Sequence, residues 1–101
     1  MQHDDKIAIC SLAIEHRAAL KATYNAAPIE CHPHQLIERN GTVYLRAYNP
    51  AKSRMEGEDA ALGLFHLGGL SDIALCGHAF EPIAAAVEAS PRADDRVLVT
   101  V

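Results

Sequence analysis

The stretch Pro33–Tyr48 reads PHQLIERNGTVYLRAY and decides the fold. It holds Asn40-Gly41, two residues that tolerate positive φ and suit the tight turn between antiparallel strands. A two-residue loop there sets Arg39 opposite Thr42, Ile37 opposite Tyr44 and Leu36 opposite Leu45. One face of the hairpin then carries Leu36, Val43, Leu45 and Ala47, all apolar. The other carries Gln35, Ile37, Tyr44, Arg46 and Tyr48, aromatic rings beside a guanidinium. A one-residue slip would exchange the two faces.

Upstream of the hairpin, Ile29–Glu38 must be extended, because Pro33 blocks a helix and drives His32 toward β geometry. A proline within a strand also implies an edge or a bulge. Further back, Asp4 and Asp5 suit the start of a helix. Ile7, Cys10 and Ile14 recur at helical spacing with Ala13 beside them, so a helix is expected over about 5–16. Leu20, Ala22 and Tyr24 alternate with Lys21 and Thr23 as a first strand, and Asn25–Pro28 is a turn.

Downstream, Asn49–Asp59 is a polar, charged segment that reads as a mobile loop. Leu62–Leu67 is a strand, Gly68-Gly69 a break and Asp72–His78 the last core strand. Pro82 suits the first turn of a short helix ending before Pro91, with Ile83 and Val87 on one face. The tail Val97–Val101 is strongly β-prone. It is expected to pair with a strand, either of its own fold or of a second copy in a homodimer, since an unpaired edge invites aggregation.

The chain has 101 residues, half of them hydrophobic. That is one domain, residues 1–101, able to bury about two-thirds of its unfolded surface. No apolar run approaches the length of a membrane span. The start MQHDDK has no apolar h-region and argues against a secretory signal. Cys10, Cys31 and Cys76 are three in number and widely spaced, which fits reduced thiols in a cytoplasmic protein. The net charge is −4, with Arg and Lys scattered rather than striped. Nucleic-acid binders draw affinity from clustered cations, so this balance disfavours DNA or RNA as a partner.

Val43-Tyr44-Leu45 resembles the Trp-Tyr-Leu signature of the bacterial WYL domain, with Val in place of Trp. Pro33 precedes it by about the family's spacing, and Leu64-Phe65-His66-Leu67 is similar to the family's Phe-Arg-Leu element. Pro33-His34-Gln35-Leu36 resembles the Pro-His-x-Leu segment of short stand-alone relatives. The likeness runs from about Ile7 to Pro82. An N-terminal helix, about five short antiparallel strands and a short C-terminal helix suggest a small, strongly bent sheet or barrel, and the resemblance sharpens this to an Sm-like β-barrel. The resemblance also implies a ligand-sensing or regulatory module rather than an enzyme, with the family tyrosine lining a groove. No helix-turn-helix is recognisable, so the chain is no conventional repressor by itself.

On that reading the ligand-binding residues are Tyr44, Arg46, His66 and Tyr48. Tyr44 and Arg46 share a face opposite Leu45, and His66 is opposite Phe65, with Leu45 and Phe65 expected on adjacent strands, almost fully buried in the core. A ring, a permanent cation and an imidazole able to gain charge near neutrality suit a small anionic molecule. Sheet tyrosines and strand arginines are more often structural or solvated. His66 stands where the family has Arg, and Gly68-Gly69-Leu70 lacks the family's second Arg, which counts against anion binding. The partner is expected to be that small ligand or a regulatory protein; the alternative is a single-stranded nucleic-acid-binding accessory protein. The cluster Cys31-His32-Pro33-His34 with Cys76 and His78 matches no common zinc spacing, and no metal or cofactor is assigned. Cys10 or Cys76 beside a histidine lacks any distinctive nucleophile motif, so no catalytic residue is assigned.

Overall fold

A computed structural model describes residues 2–50, 62–83 and 95–101. Helix α1 (His3–His16) is followed by strands β1 (Ala18–Tyr24), β2 (Ala27–Arg39), β3 (Thr42–Tyr48) and β4 (Gly63–His66). A 3-10 turn (Leu67–Gly69) leads into β5 (Leu70–Ala79), and β6 (Arg96–Thr100) ends the fold.

The helix starts through a reciprocal cap. The Gln2 side chain takes a backbone N–H of the first turn, while the Gln2 N–H donates to Asp5 Oδ2 at 3.3 Å. It stops at Arg17, whose left-handed φ of 53° turns the chain straight into β1. Its inner face buries Cys10, Ala13 and Ile14, with Ile7 half-buried beside them, as the helical spacing requires. It lies against β1, β2, β5 and β6.

The central hairpin has the register set by its turn. Asn40 and Gly41 take φ of 51° and 80°, and Arg39–Thr42, Ile37–Tyr44 and Leu36–Leu45 face each other. The apolar face is the core face: Leu36, Val43, Leu45 and Ala47 are all buried there with Leu20, Cys31, Leu67, Leu70 and Ile73. Pro33 borders a bulge whose extra residue is His34, between the pairs Pro33–Ala47 and Gln35–Arg46. β2 is thirteen residues long and spends its two halves on different neighbours. Residues 27–31 pair with β1, whereas 32–39 pair with β3 on one edge and 35–38 with β6 on the other.

Two expectations need correction. The sheet is not a closed barrel, and it has six strands among the described residues, in the order β4-β3-β2-β1-β5 with β6 added to β2. β4 and β5 stay unpaired with each other. β4 is only four residues long, and the 3-10 turn carries the chain off its end. The two sides meet through side chains instead: Tyr24 packs edge-on against Phe65 at 5.1 Å, and the His66 N–H donates to the Tyr24 hydroxyl at 3.3 Å. Second, Phe65 is half-buried rather than sealed in the core, because its side of the sheet ends at β4. The hairpin's second face is partly covered. Ile37 and Gln35 are buried in it, on the strand flanked by both β3 and β6.

The tail strand pairs within its own chain, Leu36 against Val99 and Ile37 against Val97. The charged segment 51–59 and the helix expected between Pro82 and Pro91 lie outside the described residues.

Candidate functional site

The residues expected to bind ligand occupy two separate places. Tyr44 and His66 are directly opposite on β3 and β4, with ring centroids 5.5 Å apart and planes at 81°. Tyr44 is half-buried and His66 exposed. The His66 ring is held by its own backbone turn: Nδ1 accepts from the Gly68 N–H at 3.0 Å, capping the 3-10 turn. On the other side of Tyr44, the Arg39 guanidinium lies 5.8 Å from the ring centroid. Arg39 is itself tied to Asp95, Nε to Oδ1 at 2.6 Å and a terminal nitrogen to Oδ2 at 2.8 Å.

Arg46 is one step along the same face, paired with Leu64. Its guanidinium donates to Gln35 Oε1, and Gln35 Nε2 donates to Thr100 Oγ1 at 3.1 Å. This relay joins β3, β2 and β6. Burial holds Arg46 below the usual guanidinium range, with Asp95 opposing that shift and Arg39 adding to it. The outer face around Tyr44 therefore carries two arginines engaged with polar partners and one exposed imidazole.

Tyr48 belongs elsewhere. The pair His32–Tyr48 opens the β2–β3 ladder, and the two rings sit 5.7 Å apart. Both line a cavity of about 570 Å³, with Glu30, His78 and Glu81 among its other walls. Tyr44, Arg46 and His66 are not among its lining residues. Glu30 and His32 are two apart on β2 and share a face. His78 reaches them from β5, where the ladder with β1 is irregular between Leu75 and Ala79 and Gly77 takes φ 85°. That bulge re-aims His78 so that Nε2 lies 3.6 Å from Glu30 Oε2. Cys76 Sγ lies 3.8 Å from Glu30 Oε1.

The cavity wall is stapled by His34. This ring is fully buried, its Nδ1 is 2.7 Å from the His32 carbonyl, and its Nε2 accepts from the Ile83 N–H at 3.0 Å. The two contacts define a neutral tautomer with the proton on Nδ1, since a backbone N–H needs an acceptor and a carbonyl needs a donor. Burial pushes the His34 pKa down, the hydrogen bond to the His32 carbonyl opposes it, and His32 and Arg46 add smaller downward effects. Phe80 stacks on His32 at 4.9 Å with planes only 2° apart. His32 is lowered too, by burial first and by His78, against the pull of Glu30.

The thiols offer no activated nucleophile. Burial pushes Cys10 and Cys31 up to about 12. Cys76 is also raised, by burial and by the neighbouring Glu30. Sequence reading passed over Glu30, although the spacing Glu30-x-His32 on a strand places both side chains on one face.

No family model matches the sequence, and neither does any curated protein. Among solved structures, the fold is similar to part of the proteasome accessory factor B/C (PafBC) of Arthrobacter aurescens, with a TM-score of 0.68 and 21% identity. That likeness covers 83% of this chain and 13% of the other, so it concerns a small portion of the larger protein. It supports a WYL-like fold for this chain. Among the described residues, no helix is long and apolar enough to cross a membrane.

Proposed function

We propose that this chain is a non-catalytic regulatory module of WYL-like type that receives a nucleotide-bearing ligand on the outer face of β3 and β4. The observation that carries this reading is the Tyr44–His66 ring pair, opposite each other on an open sheet. Flat rings on a sheet face, with arginines beside them, suit stacking of unpaired bases and contact with phosphate. The likeness to a proteasome accessory factor and the Val43-Tyr44-Leu45 motif support a regulatory role.

Of the two forms such a ligand can take, a short single-stranded segment fits better than a free small anion. Small-molecule sites are concave and enclose most of their ligand. Among the described residues, Tyr44 and His66 stand beside exposed Leu64 and do not line the 570 Å³ cavity. The net charge of −4 works against any polyanion, so the affinity must come from stacking more than from counterion release.

Fluorescence anisotropy with a labelled oligonucleotide of mixed sequence tests this, run beside a mononucleotide and a simple dicarboxylate. The expected result is oligonucleotide binding that weakens in Tyr44→Ala by about 1–3 kcal/mol, the contribution of a stacked base. Its dependence on salt should be shallow between about 50 mM and about 200 mM. Binding of the dicarboxylate or mononucleotide alone, lost in Arg46→Gln, would assign the face to a small anion. Binding of none of them, or binding indifferent to Tyr44, returns these side chains to a structural role.

A further inference from the structure

The geometry points to a divalent transition-metal site, zinc in the first place, formed by Glu30, His32 and His78 at the mouth of the cavity. One ligand atom from each lies within 4.8 Å of the others, two imidazole nitrogens and one carboxylate oxygen. Two histidines and a carboxylate form a set that binds zinc while leaving a position open. Donors on a tetrahedral zinc, with bonds near 2.0–2.1 Å, stand about 3.4 Å apart. The His78–Glu30 edge, at 3.6 Å, is already close to that. The wider edges close by side-chain rotation, which is open to Glu30 and His78 because their side chains are 47% and 52% exposed.

His32 provides the fixed point. Its ring is stacked flat on Phe80 and flanked by Tyr48, and its backbone carbonyl is anchored by His34. Rigid neighbours of this kind orient a ligating imidazole. An ion pair between His78 and Glu30 alone would explain their 3.6 Å approach, but it makes no use of a second imidazole turned to the same point. Two imidazoles and one carboxylate converging together are the complement of a cation.

The ion would join strands that share no ladder, since β2 and β5 are separated by β1. It would also face the cavity that all three ligands line, where Glu81 on the wall or a water completes the coordination. The site is distinct from the Tyr44–His66 face, so either can fail without the other.

The test uses full-length, tag-free protein stripped with chelator and then titrated with Co²⁺ as a spectroscopic probe and with Zn²⁺ as competitor. The expected result is saturable uptake of one ion per chain, visible Co²⁺ bands that Zn²⁺ abolishes, and a higher Tm with Zn²⁺ present. Affinity should fall at least about tenfold in each of His32→Gln, His78→Gln and Glu30→Gln. It should persist in His66→Gln and Cys76→Ser. The metal-free His78→Gln and Glu30→Gln proteins should melt like the parent, because both side chains are half exposed, so a lost signal reports lost ligation. Absence of one-to-one uptake overturns the proposal. So does uptake that survives both His78→Gln and Glu30→Gln, or uptake lost in Cys76→Ser or His66→Gln.

Discussion

Arg39, the last residue of β2, grips Asp95, the residue before β6, through two parallel hydrogen bonds of 2.6 and 2.8 Å. The Asp95 side chain is fully buried and that of Arg39 is 19% exposed. Two-pronged Arg–carboxylate pairs add geometric specificity as well as energy. This one pins the start of β6 to the hairpin end of the fold.

Removing one partner should therefore be costly. Asp95→Ala removes the carboxylate that accepts both of these hydrogen bonds from the Arg39 guanidinium and should lower stability by up to about 3–5 kcal/mol, read from urea melts. Arg39→Met combined with Asp95→Leu should recover much of that loss, because an apolar pair carries no desolvation penalty. A double variant as unstable as Asp95→Ala would show that the pair does more than balance its own burial.

The core of the hairpin gives a second measurement. Leu45 and Phe65 face each other on β3 and β4. Leu45 is buried, and Leu45→Ala should cost about 2–5 kcal/mol. Phe65 is half-buried at the open side of the sheet, so Phe65→Ala should cost less than the roughly 3–5 kcal/mol of a fully enclosed ring. A Phe65→Ala loss as large as that of a fully enclosed ring would mean that the open side of the sheet is covered in solution.

What could be read from the sequence was what neighbours dictate. The Asn40-Gly41 turn and the alternation around it specify the hairpin register pair by pair. The stripe Ile7, Cys10, Ile14 specifies the buried side of α1. Closure of the sheet was not legible, since it depends on whether β4 and β5, separated by only a 3-10 turn, curl far enough to pair. Local pattern says nothing about that. The cavity was missed for a related reason. Glu30 and His32 share a strand face by spacing, but His78 joins them through the irregular β1–β5 ladder and the positive φ at Gly77, which residue spacing does not show. Tyr48 shares the alternation of Tyr44 and Arg46, yet its partner beyond the bulge is His32, so it faces the cavity.

The tail is a third case. Val97–Thr100 supplies the second edge of β2, and Val101 N–H donates to the His34 carbonyl at 3.0 Å. Deleting residues 96–101 should uncover the edge at Gln35–Glu38, where unpaired N–H and C=O groups recruit other chains. Sedimentation velocity should show the truncated protein associating while the parent does not. A truncated protein that stays monomeric with unchanged solubility would mean that the edge is protected in another way.

The thiols separate by burial. Cys10 and Cys31 are enclosed and held as neutral thiols, so a thiol reagent at neutral pH should leave both unreacted in the native protein. Cys76 should react, slowly, because its thiol is also raised. After denaturation without reductant all three should titrate. A native count above one would show that α1 opens from the sheet on the timescale of the assay.

The last prediction concerns pH and rests on His34. Its ring accepts from Ile83 at Nε2, the atom that must take the second proton, so protonation replaces a hydrogen bond with a clash of donors. Its folded pKa lies below the ordinary value of 6.5, mainly because of burial. A group depressed in the folded state binds more protons when unfolded. Its stabilising contribution is therefore complete above about pH 6.5 and declines as pH falls toward the folded pKa. His32 is shifted in the same direction and adds to the slope. Urea midpoints should thus fall between about pH 7.5 and about pH 5.5, and the fall should be smaller in His34→Gln. Glutamine can still donate to one carbonyl and accept from one N–H without titrating. An equal slope in parent and variant would mean that His34 is not buried as a neutral clamp, and that the cavity wall at Ile83 is held by other contacts.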